Sequence, residues 1–326
     1  LMFILGAATV SPDYRLSDGD LIGLGVKVDR GATTLLDRSG ITSRAVSFSA
    51  EGLSTAANGF DLFENWSRAE CSPTALGVKA VRLVLEQAGI SIEQVGMALG
   101  DTATPYQTCP SEAQRIIGEL GAKLPAFDIV GGGAALLQAL STFKVWSESR
   151  MPEYLLYVST NTPSQQTRYS SDSAPATVMG DAAVALLIST KHTAKTRVVS
   201  AKMVAEKSRR MPFKVGQSIV FDHSLLASAG EVAEFVESEL KALGTDLSRA
   251  LIVPPPLYSR ECVETLTKLG VSADRVVSSV DQIGYSFGGS LGVGLVRALD
   301  RAKSGQEIVL LHCGDGLRGS VVLRVE

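Results

Sequence analysis

The chain has 326 residues, of which 45% are apolar and 20% charged, and a formal net charge of −3. That balance supports a large buried core, and it excludes a disordered chain and a nucleic-acid binder with a broad basic face. No apolar run reaches the roughly 18 residues that span a bilayer. Four scattered cysteines (Cys71, Cys109, Cys262, Cys313) and three scattered histidines exclude a zinc ribbon or disulfide scaffold and suit a reducing cytoplasm.

The opening segment LMFILGAATV (1–10) has no basic leader and predicts a strand rather than a signal peptide. LEQAGISIEQVGMALG (85–100) predicts a helix stopped at Ala-Gly, a polar turn and an apolar strand. IIGELGAKLPAFDIV (116–130) repeats the scheme with a Leu-Gly stop. Gly131-Gly132-Gly133 then opens a helix of small residues, followed by the strand EYLLYVST and, after Gly180-Asp181, the strand AAVALLIS. Between them SQQTRYSSDSAPA (164–176) is polar and turn-rich, and predicts a surface loop. The second half runs through the same units: LKALGTDLSRALIVPPP (240–256), VETLTKLGVSADRVVSSV (263–280), then GGSLGVGLVRAL and QEIVLLHCGDGLRGSVVLRV. Near-continuous apolar strands alternating with helices predict an α/β protein whose sheets are covered on both faces. The helices after Gly133 and Gly289 are apolar nearly all round and should lie between layers. Two similar halves, 1–190 and 191–326, are expected. Gly-Gly-Gly-Ala-Ala lacks the spacing of a dinucleotide loop, and there is no P-loop.

These residues resemble a known family. RSGITSR (38–44), the helix start Pro110-Ser111, FDIVGGGAALLQAL (127–140), GDAAVALL (180–187), VPPPLYSRECVETLTKLG (253–270), DQIGYSFGGS (281–290) and the closing loop Gly314–Gly319 occur in the order and spacing of the β-ketoacyl-acyl-carrier-protein synthase III family. The resemblance covers essentially the whole chain. It implies the thiolase fold, two duplicated α/β halves in a five-layered αβαβα arrangement, and a dimer.

The resemblance also implies a Cys-His-Asn triad, and the matching positions differ. Gly133 stands in the cysteine's place, Pro255 in the histidine's and Tyr285 in the asparagine's. Claisen condensation needs a thiolate to carry the acyl group, which glycine cannot supply. It also needs donors for the enolate, and proline lacks both a side-chain donor and a backbone N–H. Loss of a nucleophile costs on the order of 10⁶ in rate in a well-studied hydrolase. Ordinary condensation is therefore not expected.

Substitute sites carry two readings each. The turn around Gly133 either offers backbone N–H groups to an acyl oxygen or merely packs closely. Cys109, beside Pro110, reads as a surrogate nucleophile or as a small buried hydrophobe. Cys313 is the other thiol in reach, but adjacent His312 should face the opposite way on a strand. Cys71 and Cys262 fall on helical patterns and read as packing. The closing loop with Gly314 and Gly316 matches the family's oxyanion loop. Arg38 matches a coenzyme A contact, and Lys207, Arg209, Arg210 and Lys214 are either a coenzyme A or carrier-protein patch or a solvated loop. His223 reads as surface and His192 as part of a turn. The expected function is a synthase-III-like partner subunit that binds acyl thioesters without condensing them, as a homodimer or beside an intact ketosynthase. The alternatives are an acyltransferase or thioesterase working without the usual cysteine, and a binding module with no turnover. Coenzyme A or acyl carrier protein thioesters are the expected ligands, with no bound cofactor or metal, no nucleic acid and no membrane.

Overall fold

The computed structural model describes residues 1–31, 34–57, 60–146, 148–170, 173–205, 218–220, 226–314 and 316–326. Its strands are β1 (Phe3–Val10), β2 (Arg15–Ser17), β3 (Ser43–Ala45), β4 (Met97–Asp101), β5 (Ala126–Ile129), β6 (Leu155–Asn161), β7 (Ala182–Ser189), β8 (Thr196–Ala205), β9 (Leu251–Val253), β10 (Glu307–Gly314) and β11 (Leu317–Val325). Its helices are α1 (Asp18–Gly23), α2 (Leu35–Ser39), α3 (Ala50–Ala57), α4 (Leu62–Arg68), α5 (Pro73–Ala88), α6 (Glu112–Glu119), α7 (Ala135–Val145), α8 (Ala174–Val178), α9 (Ala229–Leu243), α10 (Cys262–Lys268) and α11 (Gly288–Arg301). Local chemistry sets their limits. Ser72 caps α5 with Pro73 as its first residue, and left-handed Gly89 ends it. Ser228 and Glu231 form a capping box on α9, and Gly244 closes that helix at the Leu-Gly stop.

Among the described residues, nine strands join in the order β5-β4-β6-β7-β1-β8-β11-β10-β9. The sheet is two half-sheets held together narrowly: β1 meets β8 at Phe3↔Arg197 and Ile4↔Thr196 alone. Within the first half, chain order across the sheet is third, second, fourth, fifth, first. The second half repeats second, fourth, fifth, first, and the bridge Ile252↔Val276 marks where its third strand would lie. Direction repeats too. β4 is parallel to β5 and β6, as β9 is to β10, and the remaining pairs are antiparallel.

Three core layers follow from which faces are apolar. α5 and α6 pack on the outer face of the first half-sheet, and α9 and α10 on that of the second. Between the half-sheets lie α7 and α11, buried with Leu99, Leu155, Leu186, Leu310 and Leu323. The result is the thiolase fold in its five layers, α-β-α-β-α. A small cluster of β2, α1, α3 and α8 residues caps one side.

The segment 164–176 departs from the surface loop expected of it. Ser164, Gln165, Gln166 and Thr167 are buried, as are Tyr169 and Ala176. Ser164, Gln165 and Thr167 are tolerated inside because their side chains find partners. Asp181 accepts hydrogen bonds from Ser164 N at 2.8 Å and Ser164 Oγ at 2.5 Å, and also from Ser47 N at 2.8 Å and Ser47 Oγ. Gln165 accepts from Tyr106 Oη at 2.6 Å and donates to the Cys71 carbonyl at 2.8 Å. Burial pushes the Asp181 carboxyl up to about 6 against those hydrogen bonds.

Candidate functional site

The two central helices bring their N-terminal ends together. Gly132–Ala134 forms a 3-10 turn that runs directly into α7, and α11 opens on Gly288 against it. A Cβ on Gly288 would fall 2.4 Å from Asp101 Oδ2, 2.8 Å from Ala135 Cβ and 3.2 Å from the Gly132 carbonyl oxygen. Only a glycine lets the helix start this close. Asp101, the last residue of β4, therefore sits beneath the positive ends of both helix dipoles. β10 and β11 also abut the turn.

Asp101 is the electrostatic centre of this junction. It is 1% exposed and lies beside Ser159 across the parallel β4–β6 pair. Ser159 Oγ donates to its Oδ2 at 2.8 Å, and Asn161 Nδ2 donates to Ser159 Oγ at 3.2 Å. Asn161 Oδ1 in turn accepts from the Ala103 N–H at 2.7 Å. The other carboxyl oxygen, Oδ1, is buried and has no hydrogen-bond partner among the described residues. Burial pushes the carboxyl up to about 7. Ser159, Asn161 and the Gly131 N–H oppose the shift, and the Asp128 charge adds to it. The neighbouring Tyr157 phenol is driven well above its ordinary value by burial and by Asp101. No motif in the sequence flags Asp101. The one available signal is an acid closing the apolar strand Met97-Ala98-Leu99-Gly100, in register with inward-facing Leu99.

Gly133 is buried within the turn itself. At Gly131 a Cβ would meet Gln138 Oε1 at 2.5 Å and Ala135 Cα at 2.7 Å, so close packing alone requires glycine there. Pro255 is buried, and its carbonyl accepts from Tyr258 N at 3.0 Å. Tyr285 is 1% exposed. Its backbone bonds Val178 and Gly180, and its ring lies 5.3 Å from that of Phe287. Tyr285, Phe287, Leu257, Tyr258 and Cys313 share one apolar cluster. Where the resemblance calls for side-chain donors, the structure has a proline, which has none, and a tyrosine whose hydroxyl sits on a larger ring packed in the core.

The other candidates disperse. Cys313 is buried with Val309 and Leu311 on the face opposite Ile308 and Leu310, which pack toward α7 and α11; His312 takes that latter register. Cys109 is exposed, contrary to the buried packing role expected of it. The chain leaves the core after Tyr106, which Gln165 anchors, and Gln107–Pro110 stand in solvent. Cys71 lies in the turn before α5 rather than on a helix, and burial pushes its thiol up to about 11. Cys262 begins α10 inside the core. Arg38 pairs with Glu261, donates to the Ala227 carbonyl at 2.7 Å and lies 4.5 Å over the Tyr258 ring. Its charge is thus compensated within the chain. His192 bonds Glu153 at 2.6 Å and stacks on Tyr154 at the surface. Gly314 and Gly316 have φ of 150° and 74° at the β10–β11 turn. Lys207, Arg209, Arg210, Lys214 and His223 lie outside the described residues. Among the described residues, no group of three or more His, Cys, Asp or Glu could hold a metal. No helix among them is long and apolar enough to cross a membrane.

No protein-family model matches the chain. Individual proteins do. It is 27% identical over 340 residues to the β-ketoacyl-[acyl-carrier-protein] synthase III of Sphingopyxis alaskensis, covering 98% of each chain. The Escherichia coli K12 protein of the same name is 26% identical over 338 residues, again covering 98% of each. Among solved structures, 3-oxoacyl-[acyl-carrier-protein] synthase III from Aquifex aeolicus superposes with a TM-score of 0.81 at 21% identity, over 99% of this chain and 100% of that one. OleA of Xanthomonas campestris with bound cerulenin gives 0.76 at 19% identity, over 100% and 97%.

Proposed function

We propose that this chain, homologous along nearly its whole length to β-ketoacyl-[acyl-carrier-protein] synthase III proteins, serves fatty-acid or polyketide-type biosynthesis as a non-catalytic subunit that binds acyl thioesters. One arrangement supports this reading. The turn at the head of α7 carries Gly133, and the two other matching positions hold buried Pro255 and Tyr285. None of these three positions carries a thiol: Cys313 packs in the same apolar cluster as Tyr285, and Cys109 is in solvent. The scaffold keeps the helix-end junction that would hold an acyl oxygen, without the group that would take the acyl chain covalently. Acyl-coenzyme A or acyl carrier protein would bring the thioester, and no cofactor of the protein's own is needed.

Assembly would use the free edge of β5. Phe127 is 41% exposed there and Val130, just beyond the strand, 82%. An unpaired strand edge beside apolar side chains is a template for a second chain. That chain would be either another copy or an intact ketosynthase. The alternative reading, acyl transfer or hydrolysis without the usual cysteine, would draw on the same turn and on the Asp101 carboxyl.

The test is intact mass and free-thiol release after incubation with a panel of acyl-coenzyme A thioesters, alongside co-expression with an intact ketosynthase. Unchanged mass, no released thiol and co-purification of the two chains are expected. A stable adduct on Cys109 or Cys313, or released coenzyme A, would replace the subunit reading with the enzyme one. Separate homodimers after co-expression would remove the ketosynthase partner.

A further inference from the structure

α4 carries an aromatic surface open to solvent. Phe63 is 74% exposed. Its ring meets that of Trp66 edge-on at 5.3 Å, and Trp66 stacks on Tyr106 at 4.4 Å. Tyr106 is held in turn by Gln165, 2.6 Å from its Oη. The three rings form a ledge, fixed at its inner end and bare at its outer one. Grouped apolar side chains on a surface mark contact with another molecule. The ledge also adjoins the free β5 edge. From Tyr106 the chain passes through exposed Gln107–Pro110 to Ser111, the cap of α6. The first N–H groups of α6, those of Glu112 and Ala113, bond the Asp128 carboxylate of β5 at 2.7 and 2.9 Å. Exposed residues thus lead from Phe127 and Val130, by way of Cys109 and Pro110, to the ledge.

We propose that the α4 ledge is an interaction surface covered by a second copy of this chain, whose α6–β5 turn seats on it. This rests on the reading of β5 as the assembly edge and extends it. A two-fold interface is self-complementary, so a single free edge serves both copies. Two β5 edges that pair antiparallel in one sheet are related by an axis perpendicular to that sheet. Such an axis keeps the α5–α6 layers of both copies on the same face. It also sets the C-terminal end of one β5 level with the N-terminal end of the other.

The ledge stands at the C-terminal end, where β4 gives way to residues 102–110 and α6 begins. α4 leads directly into α5, which shares the outer layer with α6. The ledge therefore faces the turn between α6 and β5 of the second copy, where Lys123 and Pro125 are exposed. Asp61 and Glu64, exposed beside Phe63, supply the opposite charge. Lys123 of one copy thus meets carboxylates of the other, and Pro125 gives Phe63 an apolar neighbour. Unlike charges at the rim of a contact fix its register.

The experiment is sedimentation equilibrium of the full chain. It gives the dimer dissociation constant for wild type, Phe63→Ser, Lys123→Glu, and Lys123→Glu combined with Glu64→Lys. Phe63→Ser should weaken the dimer about thirtyfold, the scale of a buried aromatic anchor. Lys123→Glu should weaken it about fivefold, and the added Glu64→Lys should restore it. All three side chains are exposed, so far-UV dichroism should not change. In Trp146→Phe, Trp66 is the sole tryptophan, and its emission should move to longer wavelength as dilution splits the dimer. A wild-type dimer that Phe63→Ser does not weaken, with Trp66 emission unmoved on dilution, overturns the ledge and leaves β5 as the assembly edge. Loss in Lys123→Glu without rescue by Glu64→Lys overturns the placing of the turn against the ledge. A wild-type monomer overturns the second copy and the β5 edge together.

Discussion

At the residue scale, Asp101 should make stability depend on pH in a definite direction. Its folded-state pKa, about 7, is raised above that of the unfolded chain. The native state therefore holds the proton more tightly, and the contribution is full below about pH 4. It is lost as pH rises toward 7, with a slope of about 1.4 kcal/mol per pH unit and a total of about 4 kcal/mol. Asp181, raised to about 6, adds a parallel loss over most of the same range. The informative quantity is therefore a difference between variants. Asp101→Asn, followed by urea unfolding from pH 4 to 8, is expected to gain on wild type with every unit up to about 7. A difference that is constant across the range would mean the folded carboxyl ionises at its ordinary value.

At the element scale, α11 starts from a conformation that strains its own residue. Phe287 precedes the helix at φ 46° and ψ −127°, a region suited to glycine. Its ring is nonetheless 4% exposed and packs beside Tyr285. Relief of the backbone is worth about 1–2 kcal/mol, and loss of a buried phenylalanine costs about 3–5 kcal/mol. Packing wins. Phe287→Gly should therefore lose about 2 kcal/mol, and Phe287→Ala more, because it forfeits the ring and keeps the strain. Denaturant melts should rank wild type above glycine and glycine above alanine. Alanine equal to or better than glycine would show that the backbone strain is not felt.

At the scale of the whole molecule, the free β5 edge should govern assembly. Phe127→Glu with Val130→Glu places like charges on an edge that now exposes apolar groups, so that two copies brought edge to edge repel. Sedimentation is expected to show a dimer for wild type and a monomer for the double variant, with unchanged far-UV dichroism. A wild-type monomer would remove β5 as the assembly edge.

Much of this architecture is legible in the sequence, because its signals are local. The Ala-Gly and Leu-Gly stops at Gly89 and Gly244 each report a helix end from adjacent residues, and the repeated units place the strands that follow. Burial of polar side chains is not local. Ser164 reads as loop because its partner Asp181 lies 17 residues on, and Ser47 reaches the same carboxylate across 134 residues. Asp101 is hidden for the same reason, since its surroundings come from β6, α7 and α11. Cys109 shows the converse: a thiol beside a helix start reads as core until the Tyr106 anchor turns the chain outward.

The pairing of β1 has a consequence for synthesis on the ribosome. This apolar strand runs inside the sheet between β7 and β8, and its register is Phe3↔Ser189 on one side and Phe3↔Arg197 on the other. Both neighbours are translated more than half a chain later. Until then a nascent polypeptide carries an interior strand with neither edge satisfied, the kind of segment that associates wrongly at high protein concentration. The first half-sheet cannot close until β7 has left the exit tunnel, so a chaperone should hold the emerging chain until then and release it soon afterwards.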